Sequence, residues 1–277
     1  HIFSPKSTVF FNDSKLDVSL GFIYNNRKEL EEYSDTEDEE KTEVNQNDEV
    51  LETALHMTLK TANYDIKYSL PDLGKFETIV GVQGMNQTNS NYGEEELIPD
   101  ATTNLSELTS DGRHEGTNRY EIGNSNLMSE QNFQTDVALE FKTEHVELFA
   151  NGFYNKINNY IFISPNGTVV DESPVFLYLQ DNAKLYGGEF GFHLHPHPLD
   201  WIHFESSFAM VTGTQNNGDY LPLIPANNLT NTFRVEFEKS WMKQGYAFVT
   251  LRSTFNQNNV SAFETNTDGY NLLSAGL

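Results

Sequence analysis

The sequence contains no cysteine. Disulfides, thiol nucleophiles and Cys-ligated zinc are therefore excluded. Basic residues are scarce: 17 Lys and Arg stand against 41 Asp and Glu, a formal net charge of −24. A surface this acidic cannot neutralise phosphates, so nucleic acid is not an expected partner. Such charge either draws in cations and cationic ligands or simply keeps the chain solvated. Long apolar runs are missing too. Only 37% of residues are hydrophobic, mean hydropathy is −0.54, and no stretch reaches the ~20 apolar residues of a membrane-spanning helix. That excludes helical membrane proteins but not membrane β-barrels, whose strands hide their apolar half by alternation. Catalytic signatures are also missing: no glycine-rich phosphate loop, no nucleophile elbow and no HExxH helix. Acidic pairs of the glycosidase kind are abundant and unspecific. The expectation is that the chain is not an enzyme and needs no cofactor.

What the sequence does have is alternation. Phe133, Thr135, Val137, Leu139 and Phe141 interleave with Gln134, Asp136, Ala138, Glu140 and Lys142. Ile202, Phe204, Phe208 and Met210 interleave with His203, Glu205, Ser207 and Ala209. Successive side chains of a strand point to opposite faces, so each run has one apolar and one polar face. From Phe133 to Leu277 the runs are joined alternately by tight turns and long polar loops. That asymmetry favours a barrel with short periplasmic turns and long extracellular loops over a soluble sandwich. The 20 Phe and 13 Tyr suit either aromatic girdles at the bilayer edges or a sandwich core.

Along the chain, residues 8–28 read as strand, turn and strand about Asn12-Asp13-Ser14-Lys15, a turn-forming string. Between Glu29 and Glu52, twelve acidic residues face Lys41 alone, which reads as a solvated loop or a collector of cations. Thr53–Leu70 and Phe76–Met85 form the next pair, joined at Pro71-Asp72-Leu73-Gly74-Lys75. Residues 86–132 are polar with little alternation and read as a long loop. Strands are then expected over Phe133–Lys142 and Val146–Tyr160. After a long loop through Pro165-Asn166-Gly167 they are expected over Lys184–Leu194, Trp201–Thr212, Thr232–Glu238, Tyr246–Phe255 and Tyr270–Leu277. The total is about ten strands.

Several strings resemble the barrel of TonB-dependent outer-membrane receptors, particularly of the Bacteroidetes type. They are Gln180-Asp181-Asn182-Ala183-Lys184-Leu185-Tyr186-Gly187-Gly188-Glu189, Phe153-Tyr154-Asn155-Lys156-Ile157-Asn158-Asn159-Tyr160-Ile161 and Leu221-Pro222-Leu223-Ile224-Pro225-Ala226. Arg119-Tyr120-Glu121-Ile122-Gly123-Asn124 with Leu127 and Glu130, and Glu94-Glu95-Glu96-Leu97-Ile98-Pro99-Asp100, complete the set. Together they cover nearly the whole chain. The resemblance implies a plug inside a barrel of twenty-two strands, in the outer membrane of a Gram-negative bacterium, with energy from the periplasmic TonB protein. The sequence departs from the family in three respects. It shows no plug or TonB-contacting segment, and its last strand lacks a terminal aromatic. Glu94–Asp100 also lies too close to Leu105-Ser106-Glu107-Leu108, so an even number of strands is expected to be missing near Asn104. Residues 1–277 are accordingly expected to be a partial barrel from a longer polypeptide.

Two groups of side chains are candidates for binding. His193 and His203 would approach each other if a hairpin turns at His195-Pro196-His197-Pro198-Leu199-Asp200, with Glu189 and Glu205 on the same face. Imidazoles suit transition metals, so His193, His203 and Glu205 form a candidate metal set; the other reading is a polar lumen wall. The second group is Arg113, His114, Glu115, Arg119 and Tyr120, which mixes cationic, acidic, imidazole and aromatic groups in one irregular stretch. By resemblance it lies at the extracellular mouth as a ligand-binding loop, or else Arg119 and Glu121 merely pin a strand. The expected function is import of a scarce solute, such as a ferric siderophore, haem or a transition-metal complex. The expected partners are TonB, outer-membrane lipid and a small-molecule or metal-complex ligand. A passive porin or adhesin barrel and a secreted glycan-binding sandwich are the alternatives.

Overall fold

A computed structural model describes residues 1–32, 51–91, 111–114, 118–124, 126–239 and 242–277. These residues form fourteen strands and no helix. In chain order they are β1 (Ile2–Phe3), β2 (Lys6–Phe11), β3 (Ser14–Glu32), β4 (Leu51–Ser69), β5 (Phe76–Asn91), β6 (Asp111–His114) and β7 (Arg119–Ile122). Then come β8 (Gln131–Lys142), β9 (Val146–Val170), β10 (Ser173–Leu194), β11 (Ile202–Gln215), β12 (Asn228–Lys239), β13 (Met242–Thr254) and β14 (Tyr270–Gly276). All belong to one sheet with the order β1-β3-β4-β5-β8-β9-β10-β11-β12-β13-β14. Nearest neighbours along this path are antiparallel. β2 pairs with β3 beside β1, while β6 and β7 form a hairpin on the upper part of β10.

The register fixes which side chains share a face. Leu16, Val18 and Leu20 of β3 lie opposite Tyr68, Ile66 and Tyr64 of β4. Val80 and Val82 of β5 continue the row opposite Tyr68 and Ile66, and Val80 leads on to Val137 of β8. Further along, Phe190 of β10 faces Phe208 of β11, Phe204 faces Phe233 of β12, and Phe233 faces Val249 of β13. The opposite face carries Asp17, Asp65, Lys67, Gln83, Asp136, Glu205, Thr232 and Thr250. No second layer covers the apolar row among the described residues: Val137 is 47% exposed and Phe190 58%. A sandwich would bury these side chains against another sheet. Here the apolar row runs unburied across the sheet, as a wall facing lipid requires.

Aromatic rings fill the space left by glycines across the strands. Phe149 lies opposite Gly191 and Phe153 opposite Gly187. A Cβ on Gly191 would come within 2.8 Å of the Phe149 ring, and one on Gly187 within 3.1 Å of the Phe153 ring. Tyr64 covers Gly84 in the same way. Such pairs hold register in a sheet that has no core to do so.

The two ends of the sheet differ. At one end the connections are short: Asn12-Asp13, residues 70–75, Thr143–His145 and residues 195–201. Asn12 takes a positive φ of 51° and Gly74 one of 71°, as tight turns demand. At the other end the described connections are longer: residues 126–130 leading from β7 into β8, residues 216–227 and residues 255–269. The expected asymmetry is therefore present.

One expected loop is a pair of strands instead. β9 runs through Pro165-Asn166-Gly167 to Val170, and β10 starts at Ser173. Asp171 and Glu172, with φ of 47° and 62°, form a two-residue turn between them. Both central residues at positive φ match the twist of a hairpin. At about 3.3 Å per residue, the 25 residues of β9 far exceed the ~10 needed to cross a bilayer, so the hairpin stands well above the wall. Residues 86–132, expected as loop, likewise contribute the end of β5, the β6–β7 hairpin and the start of β8. The proposed splice near Asn104 lies outside the described residues, as do most of the acidic run and Glu94–Asp100.

Candidate functional site

The long-loop end is a packed collar. It begins where β9 bulges: Ile157 pairs with Ala183 and Tyr160 with Asp181, so Asn158 and Asn159 together face Asn182. Asn159 adopts a φ of 58°, and its N–H donates to Asn182 Oδ1 at 3.1 Å. A bulge changes the facing of every residue beyond it. Above it, Gln180 donates to the carbonyls of Met128 (2.5 Å) and Asn159 (2.8 Å) and accepts from the Met128 N–H (2.9 Å). Glu130 accepts the Ile161 N–H at 2.7 Å. The segment leading into β8 is thereby tied down along the β9–β10 hairpin.

β7 lies parallel to β10, Tyr120 to Ile122 against Val175 to Leu177. Arg119 Nε donates to Glu121 Oε1 at 2.8 Å, and Tyr178 donates to Glu121 Oε2 at 2.8 Å. The Arg119 guanidinium sits 5.3 Å from the centre of the Phe176 ring, and Phe176 meets Phe263 edge-on at 5.6 Å. The Leu221–Ala226 string closes the other side. Leu221 is fully buried, beside Gly213, where an added Cβ would meet its Cδ1 at 2.9 Å. Glu264 Oε1 accepts the Leu223 N–H at 2.9 Å, and Oε2 accepts the Ser261 N–H and hydroxyl at 3.0 and 2.9 Å. Burial alone would raise the Glu264 pKa, but these three donors outweigh it and hold the carboxyl below its usual range.

Of the five residues proposed for ligand binding, Arg119 is engaged in this collar. Tyr120 donates to Asp111 Oδ1 at 2.7 Å, which pushes its phenol pKa up. Arg113 is exposed and bonds Asn118. His114 pairs with Arg119 through the β6–β7 register, and Glu115 lies outside the described residues.

The short-turn end gathers the histidines. His193 Nε2 and His203 Nδ1 are 2.9 Å apart with their rings stacked. Glu205 faces His193 across β10 and β11, but its carboxylate turns to Arg234 at 3.7 Å. His193 Nδ1 instead reaches Glu147 at 3.6 Å, and His203 Nε2 reaches Glu236 at 3.3 Å. His195 joins the stack, its ring 5.2 Å from His193 and 5.7 Å from His203. The predicted approach of His193 and His203 is therefore present, while Glu189 stays with β9 neighbours opposite Asn151. Sequence reasoning did not pick out His145, Asp200, Glu147 or Glu236. The missing signal was the register that sets Glu147 beside His193 and hydrogen-bonds His195 N–H to the His145 carbonyl at 3.1 Å.

A single-layer antiparallel sheet with a lipid-compatible face, a polar face, short turns at one end and a collar at the other defines an outer-membrane β-barrel wall. The family model described as TonB dependent receptor-like, beta-barrel matches residues 83–277. The chain belongs to that family, and its place is the outer membrane of a Gram-negative bacterium. Three similar solved structures share the fold. The "Copper transporter OprC" has a TM-score of 0.60 at 13% identity over 98% of this chain and 46% of that one. The siderophore receptor PirA from Acinetobacter baumannii has 0.51 at 12% over 98% and 46%. The FpvAI–pyocin S2 complex has 0.50 at 10% over 98% and 41%. The chain thus spans about half the length of the structures it resembles. The short-turn end is periplasmic and the collar extracellular.

Proposed function

We propose that this chain is the barrel portion of a receptor that imports a scarce solute using energy delivered by TonB. The observation that carries the reading is the uncovered apolar row on one face of a single-layer sheet that matches the family model. The favoured cargo is a transition metal or its complex, such as a ferric siderophore or haem. The formal charge of −24 supports this cargo, since it draws cations towards the mouth. Two of the similar structures are named for copper transport and siderophore reception.

Ligand contact falls to the β6–β7 segment: Arg113 and Tyr120 lie beside the extracellular collar, His114 and Glu115 adjoin them in sequence, and Arg119 positions the strand. Capture needs no covalent step, so the receptor is no enzyme; selectivity comes from loop contacts. The test uses the complete receptor in cells with and without TonB, following uptake of iron-loaded siderophores, haem and free Cu²⁺. Uptake of one ligand that disappears without TonB is the expected result. Uptake that persists without TonB indicates a passive barrel. Alanine at Arg113 and His114 is expected to lower ligand affinity without lowering the amount of receptor in the membrane.

A further inference from the structure

The periplasmic rim holds a group of metal-ligating side chains that importing a solute does not require. His145 lies in the β8–β9 turn; His197 and Asp200 lie in the β10–β11 turn. One ligand atom from each falls within 4.8 Å of the other two. His145 Nδ1 is 3.4 Å from Asp200 Oδ1, and His197 Nδ1 is 3.2 Å from Asp200 Oδ2. The two imidazoles stack at 5.6 Å with 29° between their planes.

The backbone holds both turns in place. Thr143 Oγ1 bonds the Val146 carbonyl and accepts its N–H. The Leu199 N–H donates to the Pro196 carbonyl at 2.6 Å, and the His195 N–H donates to the His145 carbonyl at 3.1 Å, which links one turn to the other. The group is therefore assembled by the register and not by long flexible side chains.

The chemistry favours a metal over a plain hydrogen-bonded set. His145 Nδ1 is buried, and no donor or acceptor in hydrogen-bonding geometry reaches it. An orphaned buried ring nitrogen is costly. Its 3.4 Å approach to a carboxylate oxygen is the spacing of two atoms sharing one ion. Bonds of about 2.0–2.1 Å at a tetrahedral angle put neighbouring ligand atoms roughly 3.3 Å apart. Two imidazoles and one carboxylate form a borderline N/O set that suits Zn²⁺, Cu²⁺ or Ni²⁺ and not Ca²⁺ or Mg²⁺. The fourth position is left to water or to His195, whose ring lies 5.5 Å from that of His145.

We infer that His145, His197 and Asp200 form a periplasmic-rim site for a divalent transition metal that clips the β8–β9 turn to the β10–β11 turn. The site differs from the His193–His203 pair inside the wall, and it does not depend on which solute is carried.

The test is Zn²⁺ titration of the complete receptor in detergent at neutral pH against a competing chelator, followed by Cu²⁺ loading and electron paramagnetic resonance. The wild type is expected to take up Zn²⁺ at this site and to show nitrogen coupling to Cu²⁺. His145→Ala/His197→Ala is expected to weaken Zn²⁺ binding about a hundredfold or more, since loss of an outer-shell partner alone costs about 10–100-fold. Asp200→Asn, which preserves shape, should also weaken it, and it serves if the double variant does not fold. His193→Ala/His203→Ala should leave this binding intact. The inference is overturned if the wild type binds no zinc, if Asp200→Asn and the double variant bind as the wild type does, or if only the His193/His203 variant loses the metal.

Discussion

The extracellular collar and the wall beneath it use the same alternating strands but are held by different forces. In the collar, Leu127, Ile163, Val175 and Leu221 are buried, and the Glu121 and Glu264 carboxylates each accept bonds from two residues. In the wall, large apolar side chains such as Leu20, Val137, Phe204 and Val249 remain exposed. The collar is a small water-soluble core built on a strand extension, stabilised by burial within the protein. The wall carries no such core, and its apolar face gains its stabilisation from the bilayer. The lesson is that hydrophobic substitution should report on two solvents within one sheet.

Leu221→Ala gives the largest effect. Truncating a fully buried Leu costs about 2–5 kcal/mol, and the loss should stay local. The amides of Leu221, Leu223, Ile224 and Ala226 should exchange faster and the loop should be nicked by protease, while the barrel remains folded. Global unfolding at the same rate as loop opening would mean that collar and wall form one cooperative unit, and the comparison would break.

Val137→Arg against Ala138→Arg comes next. These neighbours on β8 face opposite sides. At the middle of a membrane an Arg on the lipid face costs about 2–4 kcal/mol, whereas lumen positions tolerate charge. Urea titration of folding into bilayers measures both. Equal penalties would indicate that the two faces of β8 meet the same surroundings, and the lipid assignment would fail.

The wall was legible in the sequence because a period of two is local: Phe133 to Lys142 states its two faces without reference to any partner. The collar was not. Pro165-Asn166-Gly167 carries loop residues and does bulge locally, with Gly167 at a φ of 81°, yet Pro165 pairs with Phe176 and Val169 with Pro174 on either side, so the strand continues past its own turn signal. Arg119 and Glu121 stood out by type, but Tyr178 and Phe176, their partners, lie more than fifty residues away. The approach of His193 to His203 was readable because one hairpin joins them. His145 needed the β9–β10 register, which no spacing within the string 193–203 contains.

Glu264 sharpens the picture of the collar. Its carboxylate accepts two N–H groups and a hydroxyl, and its pKa lies below the ordinary 4.5. A carboxyl with a depressed folded-state pKa contributes stability above its unfolded value and loses it as pH falls through the folded one. The Leu223 and Ser261 amides should therefore stay protected at neutral pH and down towards pH 4.5, then open below it. Glu264→Gln, which gives up charge-assisted bonds worth about 1.5–3 kcal/mol, should open the loop at neutral pH and flatten that dependence. Unchanged protection would show that Leu221 packing alone closes the collar.

The smallest effect belongs to the periplasmic rim. Lys142 Nζ and Glu147 Oε1 lie 2.6 Å apart, with side chains 70% and 37% exposed. Their attraction is screened by solvent, so Lys142→Met should leave the urea midpoint nearly unchanged. Glu147 keeps its contact with His193 in that variant. A near-zero result would mean that polar pairs at this end hold little of the fold together. The buried ring nitrogens there, His145 Nδ1 and His203 Nε2, would then stand out as the costly features of the rim. A large loss would instead make the rim a second structural anchor, and the contrast with the collar would disappear.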